Sequence, residues 1–158
     1  MSESVPDWAS FWDQPHSIYV NARHFDAHYR DIAAAIVALL PRAGARVLDY
    51  GCGEALHAGR VAHASSALIL CEVGPHVRER LARRFAGNAK ITVASPEDIE
   101  QQPKGSLDLV VANSLVQYLT PAELDRLLGL WRSLLTPDGV LIVGDVIPPQ
   151  VGPLTDTI

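Results

Sequence analysis

Two cysteines in 158 residues leave no room for a disulfide framework or a cysteine-built metal centre. Cys52 and Cys71 stand at neither a metal-ligand nor a redox-motif spacing, so both are expected to be reduced and partly buried. Basic charge is also scarce: 13 lysines and arginines against 18 acids give a net charge of -5 and a pI of about 5.6. A chain of that sign lacks the broad positive footprint with which proteins hold nucleic acid or anionic lipid. Arg78, Arg80, Arg83 and Arg84 form a basic cluster, expected to be the solvated face of a helix. Long apolar runs are missing as well. The stretch Ala33 to Leu40 stops at Pro41, far short of a membrane span. Met1-Ser2-Glu3-Ser4-Val5-Pro6-Asp7 has neither the basic region nor the apolar core of a signal peptide, so the expected location is cytoplasmic.

What is present is ordinary globular material, 48% hydrophobic and 20% charged, enough for one domain with a real core. Its elements alternate as in βαβ units. Residues 24–40 have Phe25, Tyr29, Ile32, Ile36 and Leu40 at helical spacing, ended by Pro41 and Gly44. Strands are expected at about 46–50, 67–72, 90–94, 107–112 and 140–146. Between them fall a helix near 55–64, one from Pro75 to Gly87 carrying Val77, Leu81 and Phe85, and a short turn at 96–101. Thr120-Pro121-Ala122-Glu123 is a helix-start signature, followed by the stripe Leu124, Leu127, Leu128, Trp131, Leu134 and Leu135. Pro137-Asp138-Gly139 is expected to turn into the fifth strand. Strands four and five are nearly unbroken apolar runs, as in parallel sheets covered on both faces.

The most informative stretch is Asp49-Tyr50-Gly51-Cys52-Gly53-Glu54-Ala55, directly behind the apolar run Arg46-Val47-Leu48. A strand that ends in an acid and turns on two alternate glycines is expected to bring bare backbone N–H groups against a ligand, since a Cβ would block the approach. Glu72 closes the next apolar strand, 23 positions after Asp49. An acid near that offset can reach both hydroxyls of a ribose. The pair implies a nucleoside-bearing cofactor.

Three further stretches complete a pattern: Leu107-Asp108-Leu109-Val110-Val111-Ala112-Asn113, Leu134-Leu135-Thr136-Pro137-Asp138-Gly139-Val140-Leu141, and Glu72 in its place between them and the glycine turn. In that order they resemble a class I S-adenosylmethionine-dependent methyltransferase, over roughly residues 24 to 147. The resemblance implies an α/β fold, a three-layer Rossmann-like sandwich with a mostly parallel sheet of strand order 3-2-1-4-5. Residues 1–23 would be an N-terminal segment and 24–158 the cofactor domain. S-adenosyl-L-methionine would be the cofactor. Asp49 and the backbone of Gly51 and Gly53 would hold its methionine portion, with Cys52 buried beneath. Glu72 would take the ribose, Val73 would pack on adenine, and Asn113 would sit near the methionine amino group.

Two positions depart from the family pattern. The third loop glycine is Ala55, which crowds the start of the helix. The residues after strand three are Ser95-Pro96, where proline has no N–H for the adenine ring, so Ser95 with Glu97 or Asp98 would take over. The resemblance implies in-line methyl transfer. Because the sulfonium donor is already activated, alignment of the partners counts for more than a general base. Tyr118, past strand four, is the leading candidate to face or deprotonate an acceptor, with His24 second. Tyr19, Arg23, His24 and Tyr29 are candidates to fold over the cofactor. Trp8, Phe11 and Trp12 would dock that segment or wall the acceptor site. His24 and His28 lie four apart on one helical face, but with no glutamate between them and no third ligand, so no metal is expected.

The acidic balance points to a small-molecule acceptor, not nucleic acid or membrane. Two alternatives stand beside this reading. One is a nicotinamide-dependent oxidoreductase, which prefers glycine where Leu56 stands. The other is a shortened, non-catalytic cofactor-binding or partner subunit. Its motive is that few residues follow Ile147, whereas the family adds a helix and hairpin there. An uncovered edge on strand five would then invite a homodimer.

Overall fold

The computed structural model describes Ser10, Asp13 and residues 21–146. Helix α1 is Ala22–Ala38, opened by Asn21, whose side chain accepts a hydrogen bond from the His24 N–H at 2.9 Å. Then come β1 (Arg46–Tyr50), α2 (Ala58–Ala64), β2 (Ala67–Cys71), α3 (Pro75–Phe85), β3 (Ile91–Ala94), α4 (Pro96–Glu100) and β4 (Leu107–Asn113). A 3₁₀ turn over Val116–Tyr118 leads to α5 (Pro121–Leu134) and β5 (Leu135–Gly144). Thr120 and Glu123 form the expected capping box at the start of α5.

The five strands form one sheet in the order β3-β2-β1-β4-β5, and every neighbouring pair is parallel. The order inferred by resemblance is the order observed. Alternation along each strand feeds two cores. Val47, Leu68, Leu70, Leu109 and Val111 pack with Ile36 of α1, Val61 of α2 and Leu81 of α3. Leu48, Tyr50, Val110 and Ala112 pack with Ile99 of α4 and Leu127, Trp131 and Leu134 of α5 on the opposite face. That is why β4 reads as a nearly unbroken apolar run, whereas β5, expected to be covered likewise, is an edge strand with Val140 and Val143 exposed. The α5 stripe is narrower than the spacing suggests, because Leu128 lies on its outer flank and is 38% exposed.

At the N-terminal ends of the strands, buried Asp108 accepts hydrogen bonds from the Arg46 N–H at 2.8 Å and the Arg42 guanidinium at 2.9 Å. This carboxylate ties β4 to β1 at the end opposite their glycine turn. These bonds and nearby guanidinium charges hold it below the usual carboxylate range despite burial.

β5 differs from expectation. Pairing runs Leu107 with Leu135, then Leu109 with Val140, so two steps on β4 face five on β5. Pro137-Asp138-Gly139 is therefore an excursion inside the strand and not a turn before it. Proline has no N–H for the ladder, and the surplus residues loop out around it. The strand ends at Gly144, two residues short of the expected Val146.

Trp131 is fully buried and meets Tyr50 edge-on, with ring centroids 5.3 Å apart at 70°. Its indole Nε1 is buried without a hydrogen-bond partner among the described residues. Trp131→Ala is expected to cost about 3–5 kcal/mol in urea unfolding. Trp131→Phe keeps most of the volume and discards the unpaired N–H, so about 1–2 kcal/mol is expected. Equal losses in the two variants would show that the ring does not pack as described.

Candidate functional site

The cleft of interest, about 430 Å³, lies across the C-terminal ends of the strands, at the β1–β4 junction where successive connections run in opposite directions. β1 and its loop contribute Asp49, Gly51, Cys52 and Gly53. β2 contributes Glu72 and Val73, the start of α4 Pro96 and Glu97, and β4 with its turn Asn113, Ser114 and Tyr118. His28, Tyr29 and Ile32 of α1 form a wall across the glycine loop.

The loop amides are not bare, which corrects the first expectation. The N–H groups of Gly51 and Cys52 both donate to the Cys71 carbonyl, at 2.8 and 3.1 Å. The Gly53 N–H donates to Glu72 Oε2 at 3.0 Å, and the Glu54 N–H to the Tyr29 hydroxyl at 3.1 Å. The neighbouring strand and α1 supply acceptors that no local pattern shows. Glycine is required all the same. Gly51 and Gly53 have φ of +77° and +56°, and a Cβ on Gly53 would lie 2.6 Å from the Tyr29 hydroxyl. Ala55 takes the left-handed conformation too, with φ of +41°. Crowding at this departure is thus backbone strain.

Glu72 joins the two loops. Its Oε1 accepts from the N–H groups of Val73 and Gly74 at 2.8 and 3.1 Å, while Oε2 holds Gly53. Behind it, the Arg78 guanidinium donates to the carbonyls of Glu72 and Val73 at 2.8 and 2.7 Å. Arg80 grips Glu54 Oε1 at 2.8 and 2.5 Å, and Arg84 reaches Glu54 Oε2 at 3.0 Å. These contacts hold Glu54 ionised, outweighing its burial. The basic cluster is therefore no mere solvated face. Only Arg83, 68% exposed beside Glu79, fits that description. The i, i+4 spacing of Arg80 and Arg84 was visible in the sequence; their target was not. At the start of α3, Asp13 Oδ1 accepts from the N–H groups of His76 and Val77 at 2.9 and 3.2 Å.

Asp49 is 7% exposed, and burial together with the neighbouring Glu72 charge pushes its carboxyl up to about 7. The same burial, with Asp49 and Glu72 nearby, raises the Cys52 thiol well above its usual value. Cys71 is raised as well, by burial first. Both cysteines are free and buried, and as neutral thiols they are poor nucleophiles.

At the other end, Asn113 Nδ2 donates to Ser114 Oγ at 3.1 Å, and the Ser114 hydroxyl donates to Asp145. The Ser114 N–H donates to the Gly144 carbonyl at 3.0 Å. Ser114 and Asp145 have positive φ, +54° and +50°. His28 is lowered by burial, against the opposing pull of Asp145.

The structure brings Asp49, Gly51, Cys52, Gly53, Glu72, Val73, Glu97, Asn113 and Tyr118 to one cleft. Ser95 is not in its wall. Its hydroxyl caps α4 in a reciprocal box with Asp98, which leaves Pro96 and Glu97 at the surface of the cleft. His24 is exposed at the first turn of α1 and does not line the cleft; one helical turn on, His28 does. Of the residues expected to fold over the site, Tyr29 lines it and Arg23 is exposed outside its wall. Tyr19, Trp8, Phe11 and Trp12 lie outside the described residues. Among the described residues no group of three or more histidines, cysteines and acids is placed to hold a metal. None of the described helices is long and apolar enough to cross a membrane. Arg78 and His28 were noted in the sequence for other reasons, and Gln117 and Asp145 not at all; none of the four was expected at the site. Asp145 lies past the observed end of β5, inside the span expected as strand.

A family model described as a methyltransferase domain matches residues 47–139. The chain is 30% identical over 142 residues to an uncharacterised methyltransferase of Mycobacterium tuberculosis, covering 88% of this chain and 64% of that protein. It is 33% identical over 137 residues to the tRNA U34 carboxymethyltransferase of Methylococcus capsulatus, covering 84% of this chain and 41% of that one. It thus spans less than two thirds of the length of these relatives. Among solved structures, phosphoethanolamine N-methyltransferase 1 of Haemonchus contortus, in complex with phosphoethanolamine and S-adenosylhomocysteine, superposes with a TM-score of 0.70 at 23% identity, over 86% of this chain and 30% of that one. A putative methyltransferase from Pseudomonas syringae does so with a TM-score of 0.58 at 29% identity, over 73% and 74%.

The elevated Asp49 carboxyl has a measurable cost. Its value is about 7 in the folded protein against 3.8 for the free side chain, so the folded state binds the extra proton between them. Stability therefore falls as pH rises from about 4 to about 7 and changes no further on this account. Asp49→Asn cannot ionise. At pH 8 it is expected to exceed the wild type by about 2–4 kcal/mol in urea unfolding, and the gap should shrink towards pH 4. A less stable variant at pH 8 would mean that a favourable partner holds Asp49 ionised.

Proposed function

The chain belongs to the class I S-adenosylmethionine-dependent methyltransferases, and from that premise we propose that it transfers a methyl group from S-adenosylmethionine to a small-molecule acceptor. The observation that carries this reading is the pair of buried acids, Asp49 and Glu72, at adjacent strand ends facing one cleft. Two such groups side by side favour a cation between or beside them, and without one Asp49 holds its proton up to about pH 7. The cofactor carries two positive centres, an ammonium and a sulfonium. Its chemistry when bound is a methyl group on an already activated leaving group.

The residues here would act by holding and aligning. Asp49 would meet the ammonium and ionise as it does so. Glu72 already accepts three amides, which leaves about one of its roughly four acceptor positions for a ribose hydroxyl. A second hydroxyl would displace the Gly53 N–H, so the glycine loop is expected to shift on binding. Val73 and Pro96 would flank the adenine, and the missing proline N–H leaves Glu97 as the polar group on that side. Alignment within a walled cleft supplies most of the rate in a transfer of this type.

A small-molecule acceptor is favoured by the size of the cleft, within the usual range of about 300–1,000 Å³ for such sites. Glu97, Glu123 and Asp145 at its wall, with the net charge of -5, disfavour a phosphate-rich partner.

Titration calorimetry with S-adenosylhomocysteine tests the reading. Binding to the wild type is expected, with Glu72→Gln weaker by about 10- to 100-fold. At pH 6.5 binding should release up to about three-quarters of a proton, seen as different enthalpies in phosphate and Bis-Tris, because Asp49 ionises against the ligand ammonium. No binding by the wild type would sink the proposal. Unchanged affinity in Glu72→Gln would place the ribose elsewhere.

A further inference from the structure

The strand ends divide the cleft by task. Glu72 and Val73 stand at the end of β2, Asp49 and the glycine loop at that of β1, and Ser114 and Asp145 past β4 and β5. A nucleoside over β2 with its amino-acid tail over β1 leaves the β4–β5 end for the second reactant. The charges from α5 at that end already have partners, Glu123 through Oε2 alone. Glu123 accepts from the Thr120 N–H and hydroxyl, both at 2.7 Å, and Arg126 pairs with Glu100 at 2.7 Å. From α1, His28 faces the same end.

Two groups there are acceptors in want of donors. The Asp145 carboxylate takes a hydrogen bond from the Ser114 hydroxyl and has further acceptor positions. Gln117 Oε1 is buried with no donor among the described residues. Its orientation is set by Nε2, which donates to the Ser114 carbonyl at 3.0 Å. Ser114 and Asp145 also hold left-handed backbone without being glycine, at about 1 kcal/mol each. Glycine would relieve that strain but bring neither hydroxyl nor carboxylate.

On the reading of the cleft as a methyl-transfer site, we infer that the acceptor is an amine, its N–H groups received by Asp145 at the β4–β5 end. An amine brings positive charge and N–H donors to the open acceptor positions of Asp145. In the transfer an N–H proton leaves to water, the freed nitrogen lone pair forms the N–CH3 bond, and the breaking S–CH3 bond leaves its electrons on sulfur.

The test uses the full chain saturated with S-adenosylhomocysteine and titrated by NMR with benzylamine, benzyl alcohol and benzoate, which match in shape and differ in charge. The wild type is expected to favour benzylamine over each of the others by about tenfold or more. Asp145→Asn should abolish that preference while leaving S-adenosylhomocysteine affinity unchanged. Asparagine tolerates a positive φ, so the fold should survive. Ser114→Gly, which also suits its backbone, should reduce the preference by a smaller factor. Equal affinities for the three probes, including no binding of any, would overturn the inference, as would a preference unaffected by Asp145→Asn. Loss of S-adenosylhomocysteine binding by the wild type would instead overturn the underlying assignment.

Discussion

One carboxylate holds the cleft together. Glu72 takes amides from its own strand end and from the glycine loop after β1, so two crossovers that share no sequence neighbourhood are fixed to each other. Arg78 secures the same residue from behind through two main-chain carbonyls. The left-handed glycines, the Tyr29 hydroxyl and the Glu54–arginine contacts all follow from where that loop is pinned. Without Glu72 the loop amides would need other acceptors, and the space beside Asp49 would lose its shape.

The same arrangement places function in tension with stability. Two acids buried side by side weaken the folded state, and the chain tolerates this because its two cores and the Asp108 anchor lie away from the cleft floor. Strain at Ala55, Ser114 and Asp145 adds to the burden. All three residues are in loops around strand ends where a ligand would be handled. Apart from the excursion in β5, the rest of the sheet is regular, as expected where only packing is asked of it.

Much of this was legible because parallel strands covered on both faces leave a strong mark. The runs around Val47 and Val110 marked strands, the family resemblance supplied their order, and Thr120 with Glu123 marked the start of α5. Asp49 and Glu72 were found by position because strand ends converge on one edge. What the sequence hid depends on which distant group satisfies a polar atom. The Cys71 carbonyl as acceptor for two loop amides, the Glu54 target of Arg80 and Arg84, and the bonding of Ser114 to Asp145 all join residues at least 19 positions apart. Ser95 was misplaced for a local reason: its capping box with Asp98 competes for the same hydroxyl. Pro137 misled because a proline-glycine segment reads as a boundary even where a strand absorbs it.

That absorbed segment bears on how the domain can be altered. Pairing resumes at Leu109 with Val140 and continues unbroken to Asn113 with Gly144. The alignment of everything after Val140 is thus set by those later rungs and not by the chain length between Leu135 and Val140. Residues can be added or removed at the loop-out without shifting Asp145, which makes it a graft point for a label or tag at the end of the sheet opposite the cleft.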